Sequence, residues 1–298
     1  MWGGSRLAPA RTHPIGELWL AGPWIEVASG PRAGRTLEEV AVELGEPFVG
    51  SGAPAGPGPR FPLLAKLLDP AAWLSVQVHP DDEVARRLEG PDAVGKAEAW
   101  YVVDADPGAE LLVGLRPGAT FADARAAIAQ PAEGRGSAIV DLLARVAVGP
   151  GDAIMLPAGT LHAVGPGVLL YELQQPSDLT YRVDDWGRPA SRERPLHVTQ
   201  ALASLGIGGP PAIRRAVAPG RVLACPQFAL DLVVEPNRLD PAGRTLHVVT
   251  ALDGPADLAG AGWSERLEPF ETVVLPAETA GYDVRPSAGS RVLVAALP

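Results

Sequence analysis

The feature that most limits what this chain can become is a short alternation, Trp73-Leu-Ser-Val-Gln-Val-His-Pro-Asp-Asp82. Leu74, Val76 and Val78 alternate with Ser75, Gln77 and His79, the period of a β-strand with one apolar and one polar face. The three polar side chains therefore leave the strand on one side. A single histidine on such a face is ordinarily just solvated or hydrogen-bonded. Glu98, early in a second strand expected over Gly95–Val103, adds a carboxylate. Neutral imidazole, carboxylate and amide oxygen together suit a borderline divalent metal such as zinc. From these residues alone, a metal site and a plain polar sheet face both remain open.

The 34 glycines and 32 prolines make up more than a fifth of the 298 residues, so short strands and turns should dominate over modest helices. That length suits one large domain or two smaller ones. The net charge of -10 argues against nucleic acid or an acidic membrane surface as the main partner. Cys225 is the only cysteine, which excludes an internal disulfide and a multi-thiolate metal site. No apolar run approaches the ~18 residues of a membrane span, and Met1–Ala10 carries no signal-peptide pattern. A soluble cytoplasmic protein, monomeric or weakly self-associating, is the expectation. Of the 25 basic residues only Lys66 and Lys96 are lysines. A GC-rich genome accounts for the arginines, and a position that still carries lysine is one where a compact ammonium suits better than a planar fork.

Along the chain, Gly16–Leu20 reads as a short strand and Thr36–Leu44 as a helix opened by a Thr36/Glu39 capping box. Ser51–Pro59 is a loop, and Phe61–Leu68 an apolar run leading to the Leu74–Val78 strand. Asp81 can cap a helix over Asp82–Leu88, and Ala109–Leu115 is a strand. Thr120–Gln130 and Ser137–Val146 show helical periodicity, a helical insertion spanning about residues 117–146. After a turn at Gly149–Asp152 and a strand at Ala153–Leu156, the turn Pro157-Ala-Gly-Thr160 delivers His162 to the next strand. Val168–Gln174 follows, Pro195–Leu205 is a short helical piece and Gly208–Gly220 a linker. Strands at Phe228–Val234, Thr245–Leu252, Thr272–Leu275, Tyr282–Val284 and Arg291–Ala296 close the chain.

The last block repeats an earlier one. Pro269 to Val284 aligns with Pro150 to Val164, so that Leu156-Pro157-Ala158 matches Leu275-Pro276-Ala277 and Thr160 matches Thr279. His162 then falls on Gly281. The chain reads as two copies of one β unit, the second without its histidine. A retired metal site would look like this, and so would loss of a purely structural histidine.

These paired segments resemble the cupin fold, a small double-stranded β-barrel, and Pro157-Ala-Gly-Thr-Leu-His162 fits its second motif. Leu74–Asp82, Gly95-Lys-Ala-Glu98 and Gln174-Gln-Pro-Ser-Asp-Leu-Thr-Tyr-Arg-Val183 resemble, within the cupins, the shorter bacterial type I mannose-6-phosphate isomerases, as does the opening Trp2–Leu7. The likeness runs from Trp2 to about Ala201, in the family's order. It implies a mainly β chain of two cupin-like barrel or jelly-roll units with a small helical insertion. A catalytic domain would cover residues 1–205, and a C-terminal domain without metal ligands residues 206–298. It also implies one zinc ion per chain on Gln77, His79, Glu98 and His162. The activity implied is interconversion of mannose 6-phosphate and fructose 6-phosphate through an enediol(ate).

Of the remaining site residues, the resemblance puts the family's active-site arginine at Arg182, and Lys96 beside Glu98 joins it as catalytic. Ser75, Lys66 and Glu172 are the expected substrate-binding residues, the first two with Lys96 toward the phosphate. Glu172 and Asp178 are candidates for the proton-shuttling base. Without the resemblance, Arg182 would read as a surface ion pair with Asp178 or Asp184, and Lys66 as a solvated strand-end lysine. Trp73, Trp100 and Tyr101 read as core, and His13, His197 and His247 as without a role. Ala97, Ala99, Pro176 and Leu179 depart from the family pattern, which bears on substrate details more than on the metal. Two other readings compete: a sugar-phosphate-binding module without turnover, and a metal cupin of another class such as a dioxygenase, which Gln77 and Glu98 with only two histidines disfavour.

Overall fold

The computed structural model describes residues 2–7, 13–54, 58–130, 138–188, 194–206 and 211–298. In order, the first part holds β1 (Glu17–Ala21), α1 (Leu37–Leu44), α2 (Glu46–Val49), β2 (Leu64–Leu68), β3 (Val76–Val78), α3 (Asp82–Glu89), β4 (Glu98–Ala105) and β5 (Glu110–Leu115). Then come α4 (Phe121–Ala129), α5 (Ala138–Asp141), β6 (Leu143–Ala147), β7 (Ala153–Leu156), β8 (His162–Val164), β9 (Val168–Gln174), β10 (Tyr181–Asp184) and α6 (Val198–Ser204). The rest is β11 (Ile213–Arg214), β12 (Gly220–Ala224), β13 (Ala229–Val233), β14 (Asn237–Leu239), β15 (His247–Ala251), β16 (Ala256–Gly260), β17 (Trp263–Leu267), β18 (Thr272–Leu275), β19 (Tyr282–Pro286) and β20 (Val292–Ala296).

The chain is mainly β, as expected, and its strands form two double-sheet units of the cupin type. The first pairs a six-stranded sheet, β1-β2-β9-β4-β7-β11, with a five-stranded sheet, β10-β3-β8-β5-β6. Trp100, Val102, Ile154, Leu170 and Leu68 of one sheet meet Leu111, Val113 and Val164 of the other. The outer face of the second sheet is apolar too, and the helices cover it. Ala124 and Ile128 of α4, Ile139 of α5 and Ala201 of α6 pack there on Val76, Val78, Leu112 and Ala163. Because β3 is buried on this side, its polar side chains are left facing the inside of the sandwich.

The second double sheet is β12-β13-β20-β15-β18 against β14-β19-β16-β17. Strand for strand it repeats β1-β2-β9-β4-β7 and β3-β8-β5-β6. Val249, Ala251, Leu258, Leu275, Val284, Val292 and Val294 fill it.

By compactness the chain divides into residues 1–18, 67–172 and 177–216, and residues 19–66, 173–176 and 217–298. The second unit thus takes in α1 and α2, which the sequence reading placed with the first 205 residues. Main-chain bonds explain the assignment: Ala277 N donates to Phe48 O at 2.9 Å, Leu246 N to Val49 O at 3.2 Å and Ser51 N to Gly243 O at 3.0 Å. Phe48 and Val49 are buried there.

Local signals held where capping chemistry spoke. Thr36 and Glu39 form the expected capping box on α1, and Asp81 caps α3 by accepting from Val84 N. Gly208–Gly220, read as a linker, holds β11, which pairs with β7, and Ser137–Val146 differs as well. Ser137 lies outside the described residues, α5 is a single turn, and Leu143–Ala147 is a strand rather than a helix. Its register, Leu111↔Val146 and Leu112↔Arg145, saturates the main chain of β5, which would otherwise be an open edge.

Candidate metal centre

His79, Glu98 and His162 meet inside the first sandwich, all three buried, with one potential ligand atom from each within 4.8 Å of the others. Each arrives by a different local device. His79 continues the polar face of β3 into His79-Pro80. Glu98 opens β4 after Gly95, whose missing Cβ matters: one there would sit 2.6 Å from Asp81 C and Asp82 N. That close approach is sealed by Lys96 N donating to Pro80 O at 2.9 Å. His162 opens β8 after the turn in which Thr160 Oγ1 donates to Pro157 O at 2.7 Å. Gly159 in that turn has φ of 85° and a Cβ there would lie 2.8 Å from Gly206 N. Only glycine meets both demands without strain.

Glu98 is the hub. Its Oε2 lies 3.3 Å from His79 Nε2 and its Oε1 3.2 Å from His162 Nε2. Lys96 Nζ lies 3.0 Å from Oε2. Among the described residues neither carboxylate oxygen accepts a hydrogen bond of acceptable geometry, although both are buried. On the far side of each ring, Nδ1 lies 2.7 Å from Leu179 O for His79 and 3.0 Å from Thr160 O for His162. A carbonyl only accepts, so each Nδ1 carries the proton and each Nε2 turns a lone pair toward Glu98. That is how metal-binding imidazoles are oriented. Gln77, paired with His162 across β3 and β8, brings its amide nitrogen to 3.1 Å from His162 Nε2. Turning that amide over would present Oε1 at the same point. Two imidazole nitrogens, a carboxylate and an amide oxygen fit zinc.

The electrostatics agree. Burial, then the nearby Lys96 charge, lowers His79 to about 4 against the pull of Glu98, and burial also lowers His162. Both rings are neutral at neutral pH, the form that ligates metal. Burial alone would raise Glu98, but the Lys96 ammonium holds it well below the ordinary carboxylate range. Burial would lower Lys96, yet Glu98, Glu172 and Asp178 outweigh it and keep the ammonium charged.

The other sequence-derived residues divide between the two units. Ser75 is buried, its Oγ donating to Gln77 Oε1 at 3.4 Å. Glu172 is buried and accepts from Trp100 Nε1 at 2.9 Å. Arg182 sits directly across from Gln77 in the β10–β3 pairing. Its Nη1 donates to Pro195 O at 3.1 Å, and its buried Nε has no hydrogen-bond partner among the described residues. Burial and the neighbouring Arg194 lower its pKa, while Arg194 itself is held by Asp185 through bonds of 2.8 and 2.7 Å. Asp178 is exposed. Lys66 belongs to the second unit, where its ammonium lies 4.1 Å from the centre of the Trp19 ring.

Sequence reasoning missed the carbonyls of Leu179 and Thr160, and main-chain groups leave no residue-type signature to find. It read Trp100 as core, which it is, but the indole also holds Glu172 and meets the His162 ring edge-on at 5.3 Å. The signal was present, since Trp100 shares a strand face with Glu98.

The model of the phosphomannose isomerase type I catalytic domain matches residues 5–117. The probable mannose-6-phosphate isomerase GmuF of Bacillus subtilis strain 168 is 39% identical over 218 residues, 70% of this chain and 65% of that protein, so the match spans just under two thirds of the relative's length. The crystal structure of the mannose 6-phosphate isomerase from Bacillus subtilis superposes with a TM-score of 0.80 at 28% identity, covering 99% of this chain and 95% of that one. A zinc-bound mannose 6-phosphate isomerase is similar at the level of fold, with a TM-score of 0.71 at 16% identity over 99% and 95% of the two chains. Residues 5–117 thus match the catalytic domain of the type I phosphomannose isomerases, and the chain as a whole is similar in sequence and fold to mannose-6-phosphate isomerases.

Proposed function

We propose that this protein interconverts mannose 6-phosphate and fructose 6-phosphate, and that Gln77, His79, Glu98 and His162 hold one zinc ion for it. The observation that carries this reading is Glu98: a fully buried carboxylate between two neutral imidazoles, with both oxygens lacking a hydrogen bond of good geometry. A divalent cation at that point satisfies it, and the related proteins' names supply the reaction.

The reaction moves a proton between C1 and C2 of the open-chain sugar, and charge builds on the two sugar oxygens as the enediolate forms. Zinc, when bound, supplies a Lewis acid for those oxygens. Arg182 stays charged at any working pH, which makes it a poor base and a good partner for developing negative charge. Lys96 offers a buried ammonium that can donate to a sugar oxygen. Glu172, held by the Trp100 indole, is assigned to orient the sugar and is the candidate to carry the proton. Ser75 is assigned to the phosphate end. No helix among the described residues is long and apolar enough to cross a membrane, and we place the enzyme in the cytoplasm as a monomer or weak homo-oligomer.

A coupled assay for fructose 6-phosphate tests this. Turnover is expected from zinc-loaded protein, lost after chelation and regained on adding zinc. Zinc-loaded protein that fails to turn over would reject the isomerase, and oxygen uptake in its place would mark a redox cupin.

A further inference from the structure

The two double sheets have one strand order, so their ladders can be laid over each other residue by residue. In the first, β3 meets β8 with Gln77 opposite His162, and β4 meets β7 with Glu98 opposite Leu156. In the second, β14 meets β19 with Leu239 opposite Tyr282, and β15 meets β18 with His247 opposite Leu275. Leu156 and Leu275 begin the matching Leu-Pro-Ala segments, so Glu98 corresponds to His247. The inward faces give the other half: His162 and Val164 point into the first sandwich, Tyr282 and Val284 into the second. Gly281, which a gapless alignment sets under His162, is therefore one residue out of register, because the second turn is one residue longer. Gln77, His79, Glu98 and His162 correspond to Leu239, Pro241, His247 and Tyr282.

Two of those places are now apolar. The other two have become partners. His247, buried, brings Nδ1 to 2.8 Å from the Tyr282 hydroxyl, with the rings edge to face at 5.8 Å. Trp263 packs on the same tyrosine at 6.2 Å. Where the first sandwich brings Glu98 of β4 and His162 of β8 together, the second joins β15 to β19 by one neutral hydrogen bond.

We propose that the His247–Tyr282 hydrogen bond is the structural replacement for a metal in the second sandwich, a polar tie between its sheets at the place where ligands converge in the first. The tie leaves the second sandwich closed to zinc and contributes to its stability. This rests on ladder register and on the proposed metal site of the first sandwich, but not on the isomerase activity.

A double-mutant cycle on the full chain tests it, with zinc content measured alongside. Tyr282→Phe and His247→Leu are each expected to lower the thermal midpoint by about 2–5 °C, with the double variant losing clearly less than the sum. Zinc per chain should match the parent in all three. Additive losses would overturn the tie, and a drop in zinc content in either single variant would show that the pair holds an ion. Grafting Leu239→Gln, Pro241→His, His247→Glu and Tyr282→His together should raise zinc content by about one equivalent. A folded graft with unchanged zinc would overturn the correspondence of sites, and should the graft not fold, the cycle still decides.

Discussion

His162→Ala protein is expected to lose its zinc and, with it, nearly all turnover. The imidazole is one of two nitrogen donors in a buried set, so its removal leaves Glu98 and His79 with one nitrogen donor between them. Losing only an outer partner of a metal ligand costs about 10–100-fold in affinity, and losing the ligand itself should cost more. Turnover should fall by at least about 10²–10³-fold, the usual effect of removing one group that stabilises developing oxyanion charge. The fold should survive, because β8 is held on both sides, by Gln77 of β3 and by Leu111, Leu112 and Val113 of β5. Elemental analysis, circular dichroism and the coupled assay on one preparation check all three parts. Folded variant protein with full zinc content would refute the assignment of His162.

The second large effect is expected from Lys96→Met, and it should depend on zinc. In the zinc-free protein the ammonium, 3.0 Å from Glu98 Oε2, is the full positive charge next to a buried carboxylate. Deleting one member of a buried ion pair strands the other, at a typical cost of about 3–5 kcal/mol. Zinc puts a divalent charge against the same carboxylate and should restore much of that loss. Thermal melts with and without zinc should therefore show a variant that is markedly destabilised when empty and close to the parent when loaded. Equal destabilisation in both states would mean that Lys96 acts by packing and not by charge. Turnover of the loaded variant then reports separately on the ammonium's role toward the sugar.

Much of the proposed centre was legible in the residues because its proposed ligands carry local signals. Period-2 alternation put Gln77 and His79 on one face, and the Pro157-Ala-Gly-Thr160 turn pointed at His162. What was not legible depends on chain partners far apart in sequence. That Arg182 lies across from Gln77 follows from the β10–β3 ladder, which nothing local to Tyr181–Asp184 specifies. Residues 19–66 join the second unit through main-chain bonds at Phe48, Val49 and Ser51, which carry no side-chain signal. Leu142, Leu143 and Val146 suit a helix by spacing, yet the open edge of β5 draws Leu143–Ala147 into a strand. The repeat was visible in its Leu-Pro-Ala segments, but its register was not. One extra residue in a turn reverses which side chains face inward, and only the ladders reveal that Tyr282, not Gly281, takes the place of His162.

Anomalous diffraction at the zinc edge, from crystals grown with zinc, tests the central claim most directly. A peak is expected about 2.0–2.2 Å from Nε2 of both His79 and His162 and from a Glu98 oxygen, with the Gln77 amide oxygen toward it. Crystals that hold zinc elsewhere with no peak among these four side chains, or a His162 ring turned out of the sandwich, would contradict it.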